Sequence, residues 1–435
     1  PPSGVLGVED AQLTPEFWIA RQSAPDRPIL SRAQIQAQNA KLFALDPSMH
    51  DLRKLPAALD RAQVAGWIGK LSQLPKKPLF DVDGKPVPKE TLDGFADALA
   101  LDTIPASTPV RWGLIVERAP LRSFPTELRV FTRAGDTDID RFQETAEFPG
   151  TPVAIVHASR DGRWLFVVSP RYAAWVERRY VAEGSAGQVL GYAGRAPYRV
   201  VTGASVRTVY TRERPEVSQL QLDMGVRVPL HQGWPQDQPV NGQTPYTSWV
   251  VDLPIRQADG RLEIVPALLQ KNADTAADYL PLTPANLIRQ AFKFLGERYG
   301  WGHAYDGRDC SGFVSDVYRS FGLEMPRNTS AQGVSPAFAH RLFGDGDDHA
   351  QREQAARAAR LGDLVYIPGH VMMVLGQLDD NPYVIHDVLG MSYRLDGAEH
   401  HVILNAVSVT PLLPMLFNDR QTFVDRMTSL VQMRP

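Results

Sequence analysis

Helical periodicity sets in abruptly at the only cysteine of the chain. After Arg308-Asp309-Cys310-Ser311-Gly312, the residues Phe313, Val314, Val317, Tyr318 and Phe321 fall on one face of an α-helix. Asp309 is then the N-cap and Cys310 the first helical residue, and Gly322 followed by Pro326 ends the helix. A thiol at that position faces the positive end of the helix dipole, which favours the thiolate, the nucleophilic form. Downstream, His370-Val371-Met372-Met373-Val374-Leu375-Gly376 and Tyr383-Val384-Ile385-His386 read as buried strands. A helix followed by an antiparallel sheet predicts an α+β layer arrangement.

A cysteine nucleophile needs a base, and the base needs an orienting group. Among ten histidines, His370 and His386 lie on strands, where few rotamers remain to them. His370 is read as the base and His386 as the third member. Asp387 turns to the other face of its strand by alternation. The bland alternatives are a small buried hydrophobe for Cys310, a satisfied core histidine for His370 and a strand-end surface residue for His386. A zinc site would use the same residue types, but no pair spaced like Cys-x-x-Cys is present, so no metal and no cofactor is expected.

Several short motifs occur in a fixed order: Tyr299-Gly300-Trp301-Gly302, Asp309-Cys310-Ser311-Gly312-Phe313, Met325-Pro326-Arg327-Asn328-Thr329, Gly362-Asp363-Leu364-Val365, Gly369-His370-Val371 and Ile385-His386. Together, over residues 270–410, they resemble the NlpC/P60 family of papain-like cysteine peptidases that act on bacterial cell-wall peptides. The resemblance implies roles for further residues. Tyr299 would lie beside the nucleophile and bind substrate or oxyanion. The main-chain amide of Cys310 would be an oxyanion donor. Asp309 and Ser311 would meet the peptide, and Arg327 would pair with the α-carboxylate of D-glutamate. Asn328 and Thr329 stand where the family member closest in layout has Asp-Ser, so a negative charge for a substrate amine is missing there.

At 435 residues the chain is too long for one ordinary core, and length suggests about three domains. With 43% hydrophobic and 22% charged residues the composition is that of a soluble globular protein. The net charge of −3, with no run of basic residues, gives no sign of nucleic-acid binding. No apolar run is long enough for a transmembrane helix. One cysteine excludes an internal disulfide. The start Pro-Pro-Ser-Gly, without an initiator Met, is read as that of a mature chain whose export signal has been removed, so a periplasmic or cell-envelope location is expected.

The expected fold is multidomain: a helical N-terminal segment, two all-β SH3-like barrels and the α+β papain-like domain. Residues 1–105 carry helical spacing at 31–45 and 55–71, cut by prolines, with Ser31 and Asp51 as caps and Trp18, Trp67 and Phe95 as packing anchors. The resemblance implies that this segment clamps the other domains. Short strands begin near 106, with Arg111–Val116, Val153–His157 and Trp164–Val168 between turn signals. Asp161-Gly162-Arg163-Trp164, a strand and Tyr172-Ala173-Ala174-Trp175-Val176 resemble a bacterial SH3 domain of five or six strands, placed at 106–185. A second pass of the same grammar at 186–270 is read as a second barrel by degenerate repetition. The peptidase domain is placed at 271–435, with a polar surface helix or insertion in 344–360 and an apolar tail from 411 that docks on the body.

In the related subgroup the first barrel walls the cleft with an acidic residue and a tyrosine. Tyr172 matches the tyrosine, and Glu144 is the candidate acid, with Glu147 next. The function expected is hydrolysis of the γ-D-glutamyl–diamino acid (meso-diaminopimelate) bond of peptidoglycan stem peptides carrying a free N-terminal L-alanine, by a monomer. The alternatives are an N-acetylmuramoyl-L-alanine amidase of related Cys-His type and a catalytically inert wall-binding protein. Labelling of Cys310 by iodoacetamide at mildly acidic pH would count against the last.

Overall fold

The computed structural model describes residues 3–435. It divides into two compact units, each assembled from separated stretches of chain. One comprises Pro1–Ser48, Tyr279–Tyr299 and Gly307–Pro435, and the other Met49–Asp278 and Gly300–Asp306.

The cysteine-bearing unit is built on a six-stranded antiparallel sheet. Its strands run in the order Ala339–Leu342, Ser429–Gln432, Leu364–Ile367, His370–Leu378, Asn381–Leu395 and Ala398–Pro411. Two tight hairpins fix the register of the last three. Asp379 and Asp380 both have positive φ, as do Asp396 and Gly397, which is the backbone that two-residue type I′ turns require. The strand expected at Tyr383–His386 is therefore the inner part of a much longer arm, and the Asp396-Gly397 signal marks its tip. The apolar tail docks by contributing a strand: Ser429–Gln432 sits inside the sheet, and Leu412, Met415 and Val424 are buried.

Helix Cys310–Arg319 is the centre of this unit, with every residue from Cys310 to Tyr318 buried. Phe313 packs edge-on against Phe294 at 5.8 Å, and Tyr318 Oη donates to the Gly362 carbonyl at 2.6 Å. Helix Pro284–Phe292 is capped by Thr283, whose side chain accepts from Asn286 N. In 344–360 a helix forms over His349–Ala358, started by an Asp348/Gln351 capping box.

Residues 3–48 belong to the same unit. Helix Arg32–Leu45 starts at the Ser31/Gln34 capping box. Asn39 ties this segment to the turn after helix Cys310–Arg319, donating to the Gly322 carbonyl at 2.7 Å and accepting from Glu324 N at 2.9 Å. Tyr383 Oη donates to the Gly7 carbonyl, and Trp18, fully buried, lies 5.6 Å from the Tyr383 ring.

In the second unit, the helix expected over 55–71 begins only at Arg61, where Asp60 caps it by accepting from Gln63 N. Before it, Ala58–Asp60 pair as a short antiparallel strand with Ser107–Pro109, so the backbone there is extended rather than helical. A seven-stranded sheet follows, ordered Gln143–Glu147, Ala119–Arg122, Ala173–Glu177, Trp164–Val168, Pro152–Ala158, Arg111–Ile115 and Val181–Gly184. Trp175 and Phe166 pack at 5.3 Å in its core together with Phe95, Phe124 and Phe142, and Trp175 Nε1 donates to Ser72 Oγ. Residues 186–278 form three small antiparallel sheets around one core of Val201, Leu222, Val228, Val251, Leu253 and Leu269.

The segment Gly300–Asp306 packs with this second unit. Gln143 Nε2 donates to the Gly302 carbonyl at 3.0 Å and Arg118 Nη1 to the His303 carbonyl at 2.6 Å. Gly302 is required: a Cβ there would lie 2.8 Å from Gln143 Cγ, and its φ is +59°. His303, Tyr305 and Asp306 also have positive φ, so the loop is held in a conformation that L-residues rarely adopt.

Candidate active site

Cys310 occupies the first position of its helix because Asp309 caps it: Asp309 Oδ1 accepts from Gly312 N at 2.9 Å. The Cys310 N–H therefore lies outside the intrahelical ladder and is free to face an oxyanion. The loop leading in is closed on itself, since Tyr299 and Arg308 pair as an isolated parallel bridge. Arg308 is buried, with its Nε 3.4 Å from Glu297 Oε1 and 3.5 Å from Asp316 Oδ2, and its guanidinium lies over the Phe294 ring.

The two histidines meet. His370 Nε2 lies 2.7 Å from His386 Nδ1. The register that pairs Met373 with Ile385 makes them diagonal neighbours on one face of the sheet. His386 is completely buried, and its Nε2 lies 2.9 Å from Thr410 Oγ1. His370 is half-buried, with the Phe423 ring at 6.3 Å. Cys310 Sγ sits 3.7 Å from Thr329 Oγ1 and 4.0 Å from the Gly369 carbonyl. It makes no hydrogen bond to His370 in this resting state, and such contacts commonly tighten only with substrate bound.

Electrostatics runs against the simple helix-dipole expectation for the thiol. Burial, and then the Asp309 carboxylate, push Cys310 up to about 12, with the Thr329 hydroxyl acting the other way. Burial pulls His370 down to about 4, and burial plus the neighbouring His370 pull His386 well below the usual histidine range. The resting pair is neutral thiol and neutral imidazole. Burial, and then Cys310 and Asp309, push the Tyr299 phenol well up, so it stays protonated and able to donate.

Asp309, Ser311 and Arg327 engage one another. Arg327 Nη2 donates to Asp309 Oδ2 at 3.0 Å and Nη1 to Ser311 Oγ at 2.9 Å, with the guanidinium almost fully buried. The arginine expected to pair with a substrate carboxylate thus braces the helix cap. Asn328 is exposed as the residue before the short helix Thr329–Gln332, and Thr329 is half-buried at the thiol. In the second unit Tyr172 Oη donates to Glu144 Oε1 at 3.2 Å, and both are half-buried. Glu147, the other acid considered, is buried against Arg171 and accepts from Ser169 Oγ. Asp387 lies on the strand face opposite His386, fully buried with neither carboxylate oxygen hydrogen-bonded among the described residues. Burial, then Glu297 and Asp309, push its pKa well up. Thr410 escaped sequence reasoning; its signal is a hydroxyl inside the alternating run Val407-Ser408-Val409-Thr410, on the face that carries His386. Among the described residues no group of three or more His, Cys, Asp or Glu side chains is arranged to hold a metal ion. No helix there is long and apolar enough to cross a membrane.

Comparison with known proteins finds family matches over two stretches of the chain. The model of the NlpC/P60 family matches residues 296–395, the stretch that holds Cys310, His370 and His386. The chain carries an NlpC/P60 domain. A second model, SH3 domain (SH3b1 type), matches residues 129–177 within the seven-stranded sheet. The whole chain has the fold of an NlpC/P60 endopeptidase from Photobacterium damselae subsp. piscicida, with a TM-score of 0.75 at 15% identity over 98% of this chain and 96% of that one. An NlpC/P60 family protein from Bacillus cereus aligns with a TM-score of 0.50 at 18% identity, over 74% of this chain and 100% of its own. No curated protein matches the sequence. The NlpC/P60 domain therefore sits in a multidomain chain that also carries an SH3b domain, with residues 178–295 between the two matched stretches.

Proposed function

We propose that this chain is an exported cell-wall peptide hydrolase that cleaves the amide between γ-D-glutamate and the diamino acid, meso-diaminopimelate, of peptidoglycan stem peptides. The observation that carries the reading is the His370–His386 contact of 2.7 Å within an NlpC/P60 domain whose cysteine begins a buried helix. In the first step the thiol proton passes to His370 Nδ1 as sulfur bonds to the γ-carbonyl carbon. With the thiol held up at about 12, transfer accompanies attack rather than preceding it. The oxyanion is received by the Cys310 N–H and the protonated Tyr299 phenol. His370 then returns the proton to the leaving nitrogen, the C–N bond breaks and a thioester remains. Water attacks that thioester, giving a proton to His370, and the sulfur is released and reprotonated. His386 holds the ring of His370 throughout.

For the substrate's other end, we take Glu144, with Tyr172 hydrogen-bonded to it, as the group that receives the free amine of L-alanine. The free carboxylate is left to Asn328, Thr329 and whatever reach Arg327 retains from its pair with Asp309. The deciding experiment is digestion of defined muropeptides followed by mass spectrometry. Release of L-Ala-D-Glu from a tripeptide supports the reading. Release of lactyl-linked muramic acid with an intact peptide assigns an amidase instead, and no product from any substrate leaves the wall-binding alternative.

A further inference from the structure

Resting on that Cys-His-His reading, we infer that Thr410 is a positioning residue that sets the tautomers of both histidines and so aims the basic nitrogen of His370 at the thiol. His386, Thr410 and Met415 are all fully buried, so water cannot stand in for any of them. His386 Nε2 lies 2.9 Å from Thr410 Oγ1, and Thr410 Oγ1 lies 3.3 Å from Met415 Sδ, which can only accept. Thr410 pairs with Val384 and Ser408 with His386, so the hydroxyl is the diagonal neighbour of the imidazole on the same sheet face.

Two neutral imidazoles joined Nε2 to Nδ1 can hold their protons in two ways. In the first, Thr410 O–H donates to Met415, His386 Nε2–H to Thr410 and His370 Nε2–H to His386. His370 Nδ1 is then an open lone pair. In the second, Thr410 O–H donates to His386 Nε2 and His386 Nδ1–H to His370, leaving His370 with a proton on Nδ1. That N–H has no acceptor among the described residues, and a nitrogen already carrying a proton cannot take the one on Cys310. A ring nitrogen is a better acceptor than a thioether, so Met415 alone would not decide between them. The count along the hydrogen-bonded chain does: every donor is matched inside the protein in the first arrangement, whereas the second leaves the Nδ1–H of half-buried His370 to solvent alone. Only the first is competent, and it needs an oxygen at position 410 to accept from His386.

The test is long-range proton–nitrogen NMR of the full chain labelled with 15N-histidine, without substrate, on wild type, Thr410→Val and Thr410→Ser. Wild type should show His370 and His386 both protonated at Nε2. Thr410→Val should move His386 toward the Nδ1–H form and lower kcat on a stem tripeptide by about 10- to 100-fold, the range typical of lost outer-sphere orienting groups, with KM within about twofold. Thr410→Ser should restore both. A wild-type His386 protonated at Nδ1 overturns the inference, even if the valine variant fails to fold. So does a valine variant with unchanged tautomers, whether or not its kcat falls. If no stem peptide is cleaved but the tautomers follow Thr410 as described, the positioning role stands and the proposed reaction falls.

Discussion

Cys310 and His370 are each held neutral by their surroundings, and that sets what single substitutions do. Cys310→Ala removes a small buried side chain whose role is chemical. It should abolish peptide hydrolysis while leaving the unfolding free energy within about 1 kcal/mol of wild type. Turnover within about tenfold of wild type would remove the nucleophile assignment. His370→Ala should be nearly as severe and His386→Ala less so; the reverse order would exchange their roles. The depressed histidines also make a pH prediction. His370 titrates near 4 folded and near ~6.5 unfolded, so between these values the unfolded chain binds more protons. Stability from this group is present above pH ~6.5 and is lost as pH falls toward 4. Urea unfolding at pH 5 against pH 7 should show less stability in wild type, with about 2 kcal/mol of the loss due to His370, and that part should vanish in His370→Gln. An equal loss in both proteins would show that the imidazole is not the source. For Glu144, replacement by Gln should raise KM for peptides with a free N-terminal L-alanine and leave N-acetylated peptides equally poor. Equal cleavage of free and acetylated peptides by wild type would end that assignment.

The nucleophile is presented by the junction of a helix, its cap and a buried arginine. Asp309 Oδ1 caps the helix through Gly312 N, while its other oxygen pairs with Arg327. Both charges are buried, so removing one leaves the other without compensation. Arg327→Met should lower unfolding stability by about 3–5 kcal/mol in urea titrations and should lower kcat by letting the cap shift. If Arg327 served substrate alone, stability would hold and only KM would rise. At the same scale the strand pair Asn381–Leu395 and Ala398–Pro411 shows how alternation sorts chemistry: His386 and Asp387 are adjacent yet face opposite sides.

On the scale of the whole molecule, chain order and unit membership diverge. Residues 300–306 belong with the SH3b-containing unit, and Asp309-Cys310 follow almost at once in sequence. Deleting 106–185 would remove Arg118, Arg129 and Gln143, which hold the loop through His303, Tyr305 and Gly302. The left-handed His303, Tyr305 and Asp306 would then lose their restraint. Such a deletion, or the stretch 279–435 expressed alone, should lose activity even on small soluble peptides. Retained turnover would mean that the SH3b domain is a detachable tether. Gly302→Ala is a milder probe, because its Cβ meets Gln143 at 2.8 Å in a left-handed backbone; activity should fall in the otherwise intact chain.

Local physics made much of this readable from the amino acids alone. The Asp309 cap, the Cys310 helix, the Ser31 cap and the split of His386 from Asp387 depend on groups a few residues apart, whose hydrogen bonds and periodicities are written along the chain. What depends on groups far apart in sequence could not be read that way. The tail strand Ser429–Gln432 enters the sheet between partners from elsewhere, and residues 3–48 join the NlpC/P60 unit while 49–105 join the other. Arg327 turns inward to Asp309, and Thr410 reaches His386 across a strand pair. The direction of the thiol's pKa is of the same kind. The helix dipole is a property of the local sequence and favours the thiolate, but desolvation depends on everything packed around Cys310, and in the folded protein it is the larger effect.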